Sequence, residues 1–293
     1  VRMPWAAFRF NDTSADLADT FVGVKAAQDI LGRHGITRDD TVVLYDSAER
    51  DGGATASYVF WVLDVLGHDK KMILERGINA WKAADYELVT EARQPDPLLY
   101  QAPRDEIQKD KLITGDFIYN RLGDNFYQIV DVRSQAEYRG EKGTKGLDGS
   151  PLKLGHIPTA VNINYTSAWT DADTKGIKSF DRLKALYNGL DPSKGIIVYC
   201  NSGRRSSFSY YILRLLGFQN VYTYEPSWKG WGNPDNFYPV ETRENQLVSQ
   251  SFPDPVSDTA MKKQSSPSRD MNNQSPKSSP SNEPSGGYVS CGG

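Results

Sequence analysis

Sulfur and imidazole are scarce in this chain. Its 293 residues include two cysteines, three histidines and four methionines. Cys200 and Cys291 are too few for a disulfide framework. With His34, His68 and His156 scattered, they do not supply a structural zinc site, so no metal is expected. Long hydrophobic runs are missing too. None approaches the ~18 residues of a membrane span. The richest, VFWVLDVL at 59–66, is short and carries Asp64. A net charge of −3 and a pI near 5.7 give no electrostatic case for nucleic acid. The first residue is Val, so an upstream signal is neither seen nor excluded, and the sequence names no compartment.

What is present suffices for real cores. The chain is 38% hydrophobic and 11% aromatic, and its length suggests about two domains. Two stretches stand apart. Residues 244–293 are rich in Ser and Pro, as in QSSPSRDMNNQSPKSSPSNEPSGG, and read as a disordered tail. EARQPDPLLYQAPRDE at 91–106 reads as part of a linker, placed at 93–110. The expected domains are therefore 1–92 and 111–243.

Those two units resemble each other. Each contains an apolar strand, a polar loop, a helix ending at Gly, a short strand and a turn into Trp. Gly67 and Gly217 are 150 residues apart, as are Trp81 and Trp231, while Asp46 and Cys200 are 154 apart. The first unit's loop is thus four residues longer and carries Asp where the second carries Cys. Strand signals at 126–132 and 160–165 alternate with helical stretches at 179–190 and 206–218. That alternation predicts an α/β fold with a mainly parallel sheet.

The chemistry concentrates in YCNSGRRS, residues 199–206. A strand-to-helix turn puts Cys200 at the carboxyl end of a parallel strand, where open α/β sheets place their sites. The next helix points unpaired N–H groups back at the loop. Gly203 permits an inward-facing nest of amides, and Arg204 and Arg205 add positive charge. All of this favours a thiolate, and none of it requires a general base. A buried structural cysteine ending a strand is the plainer reading. A Gly and two arginines beside the thiol argue for chemistry instead.

With DVRSQAEYRGE (131–141), GHIPTAVNI (155–163), YCNSGRRS and SWKGWG (227–232) in order, the chain resembles the tandem-domain rhodanese sulfurtransferases over nearly all of residues 1–243. The first unit, with VVLYD and GINAW, resembles their inactive N-terminal domains. Its opening VRMPW resembles the residues just after a GHIPGA motif, so that domain is expected to be truncated at its start. The resemblance implies two rhodanese-like domains, each a mainly parallel central sheet flanked by helices. It also implies that a sulfane sulfur passes from thiosulfate or 3-mercaptopyruvate, through a Cys200 persulfide, to cyanide or a thiol or protein acceptor. Amides of Asn201, Ser202, Gly203, Arg204, Arg205 and Ser206 would cradle the persulfide. Arg204 or Arg205 would attract an anionic donor. No cofactor is implied.

The chain departs from that pattern at Glu137, where the thiosulfate and mercaptopyruvate enzymes carry Arg, and their loops read differently from CNSGRR, with Lys or Ser at the position of Ser202. Glu137 repels an anionic donor unless Arg139 or a loop arginine compensates. The loop itself looks more like that of small single-domain rhodaneses, which favours thiosulfate. Asp131 and Arg133 are expected to orient loops or touch substrate, His156 to brace a turn, and Trp228 to pack or wall the pocket. Asp46 cannot be a sulfur nucleophile, so the first domain is structural or shapes the pocket. Cys291 is either incidental or a tethered sulfur relay. Two other functions stay open: a persulfide sensor or scaffold without turnover, and a phosphatase or arsenate reductase of the same fold. The latter need Arg after five intervening residues, where this chain has Ser206.

Overall fold

The sequence GIIVY, with no charged side chain, suits a strand covered on both faces. In the computed structural model it is β7 (Gly195–Tyr199), buried along its whole length. The structure describes residues 9–10, 20–50, 52–91 and 95–242; Cys291 and the Ser/Pro-rich tail lie outside the described residues.

In chain order the elements begin with β1 (Arg9–Phe10), β2 (Thr20–Phe21), α1 (Val24–Arg33), β3 (Val42–Leu44) and α2 (Ala54–Val65). Next come β4 (Lys71–Ile73), α3 (Gly77–Ala83), α4 (Gly115–Tyr119), β5 (Tyr127–Asp131), α5 (Gln135–Tyr138) and β6 (Val161–Asn162). The chain continues with α6 (Phe180–Leu186), β7, α7 (Arg204–Leu215), β8 (Val221–Thr223) and α8 (Ser227–Trp231). Strands β6-β5-β7-β8 form one parallel sheet, with Ile129 opposite Ile197 and Ile197 opposite Tyr222. β3 and β4 form a separate parallel pair, and β1 and β2 an antiparallel one.

The internal repeat is visible in the elements. Helices α2 and α7 begin at 54 and 204, strands β4 and β8 at 71 and 221, and helices α3 and α8 at 77 and 227. Each pair keeps the 150-residue offset. The two long helices pack on each other in the main core, with Tyr58, Trp61, Phe208 and Tyr210 all buried. Small residues let them approach: Ala54, Ala56 and Ser57 on one, and Ser206, Ser207 and Ser209 on the other. Asp64, the one charge in the apolar patch, accepts a hydrogen bond from Tyr210 Oη and pairs with Lys71 Nζ at 2.9 Å. Burial pushes the Asp64 carboxyl up, but the Lys71 charge and the Tyr210 hydrogen bond outweigh it and hold it below its ordinary value. A second core under the other face of the large sheet contains Ile113, Ile157, Tyr199, Trp228 and Trp231.

Two boundaries differ from expectation. The helix expected at 206–218 starts at Arg204, because Gly203 adopts φ 85° and turns the chain straight into it. The strand expected at 160–165 is two residues long, since Tyr165–Ala168 already curl into a 3-10 turn. The stretch read as a linker is packed onto the first half. Tyr100 stacks on His68 and meets its Nδ1 at 2.9 Å, and the Gln108 amide donates to the Val65 carbonyl.

Candidate active site

Cys200 follows β7 directly and is 1% exposed. The turn behind it is tied by Ser227 Oγ, which accepts the amide hydrogens of Cys200 and Gly203, each at 3.1 Å. The Ser227 hydroxyl donates to the Tyr224 carbonyl at 2.8 Å and lies 3.9 Å from Cys200 Sγ. Ser227 sits at φ 56°, in the left-handed region, where the first half has Gly77 at φ 52°. A non-Gly residue there is uncommon, and the Ser227 hydroxyl makes contacts to the Cys200 and Gly203 amides that a glycine could not. Sequence reading missed it; the signal was the Ser standing opposite a Gly in the repeat.

The sulfur faces the start of α7. Ser202 N–H donates to Sγ at 3.4 Å. Burial pushes the Cys200 thiol up, but the Arg205 charge and the hydrogen bonds from Ser202 and Ser206 outweigh it, and the thiol titrates below its ordinary value. Arg204, Arg205 and Ser206 belong to the first turn of α7, so they are presented by a rigid element. Asn201 gives its carbonyl to Lys229 N–H, and its side-chain oxygen is buried. No histidine supplies a base among the described hydrogen bonds of Cys200. His156 stacks on Tyr138 at 3.7 Å, meets the Tyr138 carbonyl through Nδ1, and is pushed below its ordinary titration by burial.

Glu137 is the partner of Arg205. Two hydrogen bonds, at 3.1 and 3.2 Å, join guanidinium and carboxylate. Ser134 fixes the other side: its hydroxyl and amide donate to Glu137 Oε2, closing a capping box at the start of α5. Burial pushes the Glu137 carboxyl up, yet Arg205 and Ser134 bring it down to about 2. The compensation for Glu137 therefore comes from a loop-adjacent arginine. Arg139, the other candidate, faces Glu141 at 3.9 Å.

Asp131 and Arg133 meet each other rather than the surface. Both are buried, and the Arg133 guanidinium gives Asp131 hydrogen bonds of 2.6 to 3.0 Å and the Gly155 carbonyl another. Tyr199 Oη also donates to Asp131, at 2.7 Å. Trp228 lies under Arg133 at 4.2 Å and donates its indole N–H to the Lys153 carbonyl.

The first half repeats the turn with different chemistry. Asp46 accepts amide hydrogens from Gly53 and Ala56, each at 3.1 Å. A small cavity lies beside it, lined from both halves by residues including Arg76, Lys175, Phe208 and Tyr211. Cys200 does not line that cavity.

A buried cysteine at the carboxyl end of a parallel strand, with the Ser202 amide on its sulfur and a helix starting at Arg204, marks the candidate site of this α/β protein. Known proteins resemble this chain in sequence and fold. The profile of the Rhodanese-like domain matches residues 114–234. A thiosulfate sulfurtransferase of Corynebacterium glutamicum is 30% identical, over 84% of this chain and 79% of the relative. One from Azotobacter vinelandii is 34% identical, over 73% and 74%. The crystal structure of the Tum1 protein from Saccharomyces cerevisiae superposes with a TM-score of 0.67 at 25% identity, covering 83% of this chain and 82% of that one. The chain belongs to the rhodanese family of sulfurtransferases. Such an enzyme takes sulfur from a donor and gives it to an acceptor. Among the described residues, no helix is long and apolar enough to cross a membrane.

Proposed function

We propose that Cys200 carries the sulfur and that thiosulfate is the donor. The Cys200 thiolate attacks the outer sulfur of thiosulfate. The sulfur–sulfur bond breaks, sulfite leaves with the electron pair, and Cys200 becomes a persulfide. An acceptor thiolate, or cyanide, then attacks the outer sulfur. The acceptor leaves as a persulfide or as thiocyanate, and the Cys200 thiolate returns. The observation that carries this reading is a sulfur 1% exposed that takes the Ser202 amide hydrogen at 3.4 Å, at the start of α7. Burial alone would push the thiol up; the Arg205 charge and the hydrogen bonds from Ser202 and Ser206 bring it below its ordinary value, which favours the thiolate.

The roles rest on the contacts. Amides of Ser202 and Ser206 hold the negative sulfur in both its forms. Arg205 supplies the opposing charge, and Glu137 aims it. Asp131, Arg133 and Trp228 form the floor that ties the carboxyl ends of β5 and β7 together and to the Gly155 carbonyl. The same reading makes 111–243 the catalytic domain, 1–92 an inactive partner, and 93–110 the joint. Asp46 already fills the first domain's amide nest with a carboxylate.

The test is intact-protein mass spectrometry after mixing with thiosulfate, and separately with 3-mercaptopyruvate, before adding cyanide. Wild type should gain the mass of one sulfur atom from thiosulfate and lose it to cyanide. Cys200→Ser should gain nothing. Sulfur retained on the serine variant would sink the assignment.

A further inference from the structure

The catalytic turn is braced from the other half of the molecule. Glu225, between β8 and α8, is 5% exposed. Its Oε1 accepts a hydrogen bond from Tyr58 Oη at 3.1 Å, and its Oε2 accepts one from Phe21 N–H at 3.2 Å. Both donors belong to the first half, Tyr58 on α2 and Phe21 on β2. Glu225 in turn lies hard against Gly203. A Cβ built on Gly203 would stand 2.8 Å from the Glu225 carbonyl oxygen, 3.1 Å from its Cγ and 3.3 Å from its Oε1. Two residues beyond Glu225 comes Ser227, whose hydroxyl holds the amides of Cys200 and Gly203. A short chain of contacts therefore runs from Tyr58 through Glu225 to the turn that carries the sulfur.

The repeat supplies an internal comparison. Tyr58 and Phe208 are related by the 150-residue offset, and so are Glu225 and Glu75. Phe208 makes the reciprocal approach, its ring 3.4 Å from a Cβ built on Gly53. That ring has no hydroxyl, and Glu75 is half exposed. So the two long helices approach each other's turns in both directions, but the Tyr–Glu hydrogen bond exists only on the side that faces Cys200.

We propose that Tyr58 is a positioning residue for sulfur transfer, acting through Glu225 on Gly203 and Ser227, and that this is what the inactive half contributes to catalysis. The inference rests on the assignment of Cys200 as the sulfur carrier. A buried carboxylate deprived of one donor must relax or find another. Here that carboxylate lies against Gly203 of the catalytic turn. Sub-ångström displacement of a nucleophile is enough to slow a reaction that depends on alignment.

The test is single-turnover persulfide formation with thiosulfate, monitored by mass. Tyr58→Phe removes only the hydroxyl and should slow the rate constant ~5–20-fold with little change in apparent donor affinity. Glu225→Ala cuts the same link from its other end. The double variant should be no slower than Glu225→Ala alone, the signature of one shared interaction. Tyr210→Phe is the control, since it removes another buried hydroxyl from the same helix pair, the one bonded to Asp64. It should lower thermal stability without slowing the chemical step. Equal slowing by Tyr58→Phe and Tyr210→Phe, or additive rates in the cycle, would overturn the proposal. Wild type that takes up no sulfur would instead overturn the Cys200 assignment beneath it.

Discussion

Asp46 and Cys200 stand at equivalent points of the repeat, each receiving amide hydrogens from the turn that starts the next helix. In the first half the anion is a fixed carboxylate. In the second it is the sulfur of Cys200, which the proposed function makes the carrier of a second sulfur. The same backbone device serves as a helix cap in one place and as a reactive site in the other.

Asp46→Ala should therefore cost stability and spare chemistry. Losing two amide contacts at the start of α2 should cost ~1–2 kcal/mol, in line with lost helix caps. Urea unfolding would measure it, as a lower midpoint at unchanged slope. The persulfide-formation rate should stay at the wild-type value.

Arg205 is the largest influence holding the thiol down against burial. In Arg205→Gln the Cys200 thiol should titrate higher, because the adjacent opposite charge is gone. Alkylation of Cys200 by iodoacetamide across pH would show the shift. An unmoved midpoint would remove Arg205 from the account of sulfur activation.

Glu137 neutralises part of the charge that an anionic donor would meet. Glu137→Gln keeps an acceptor for Arg205 and Ser134 but removes the negative charge. The apparent KM for thiosulfate should fall ~3–10-fold, while the rate of discharge to cyanide changes little. Steady-state kinetics with each substrate varied would separate the two.

The Glu137 carboxyl is held at about 2, below its ordinary value of 4.5. A depressed folded-state value stabilises the fold above the unfolded-state pKa, and that stabilisation is lost as pH falls through the folded one. The pair's contribution, ~2–3 kcal/mol, should be fully present above about pH 5 and drain away between about pH 4.5 and 2. Denaturant unfolding at stepped pH should show wild type losing stability in that window, with a smaller loss in Glu137→Gln.

Much of this was legible in the residues. The 150-residue spacing of Gly67 and Gly217 carries through to the starts of α2 and α7. The β7 run, the Gly203 turn and the cysteine at its mouth came from local rules, because strand burial and left-handed glycine act over a few residues. The Glu137–Arg205 pair was only half visible. The sequence shows a charge conflict at 137, but which of three arginines resolves it depends on how α5 and α7 meet. Glu225 and Tyr58 were invisible, being 167 residues apart, one in the turn between β8 and α8 and the other on α2. The α7 start was misread by two residues because arginines look like loop until the conformation of Gly203 is known.

The two sheets also differ in what covers them. On β7, Ile197 and Tyr199 are fully buried. Their equivalents, Val43 on β3 and Tyr45 just after it, are more than half exposed, as is Met72 beside them on β4. Helix α2, by contrast, is buried almost end to end. Local opening should respect that division. Amide hydrogens of β3 and β4 should exchange with solvent long before those of β5 and β7, while α2 exchanges with the slow set. Tyr58 would thus belong, by its lifetime in the folded state, to the half of the molecule that does the chemistry rather than to the half whose sequence encodes it.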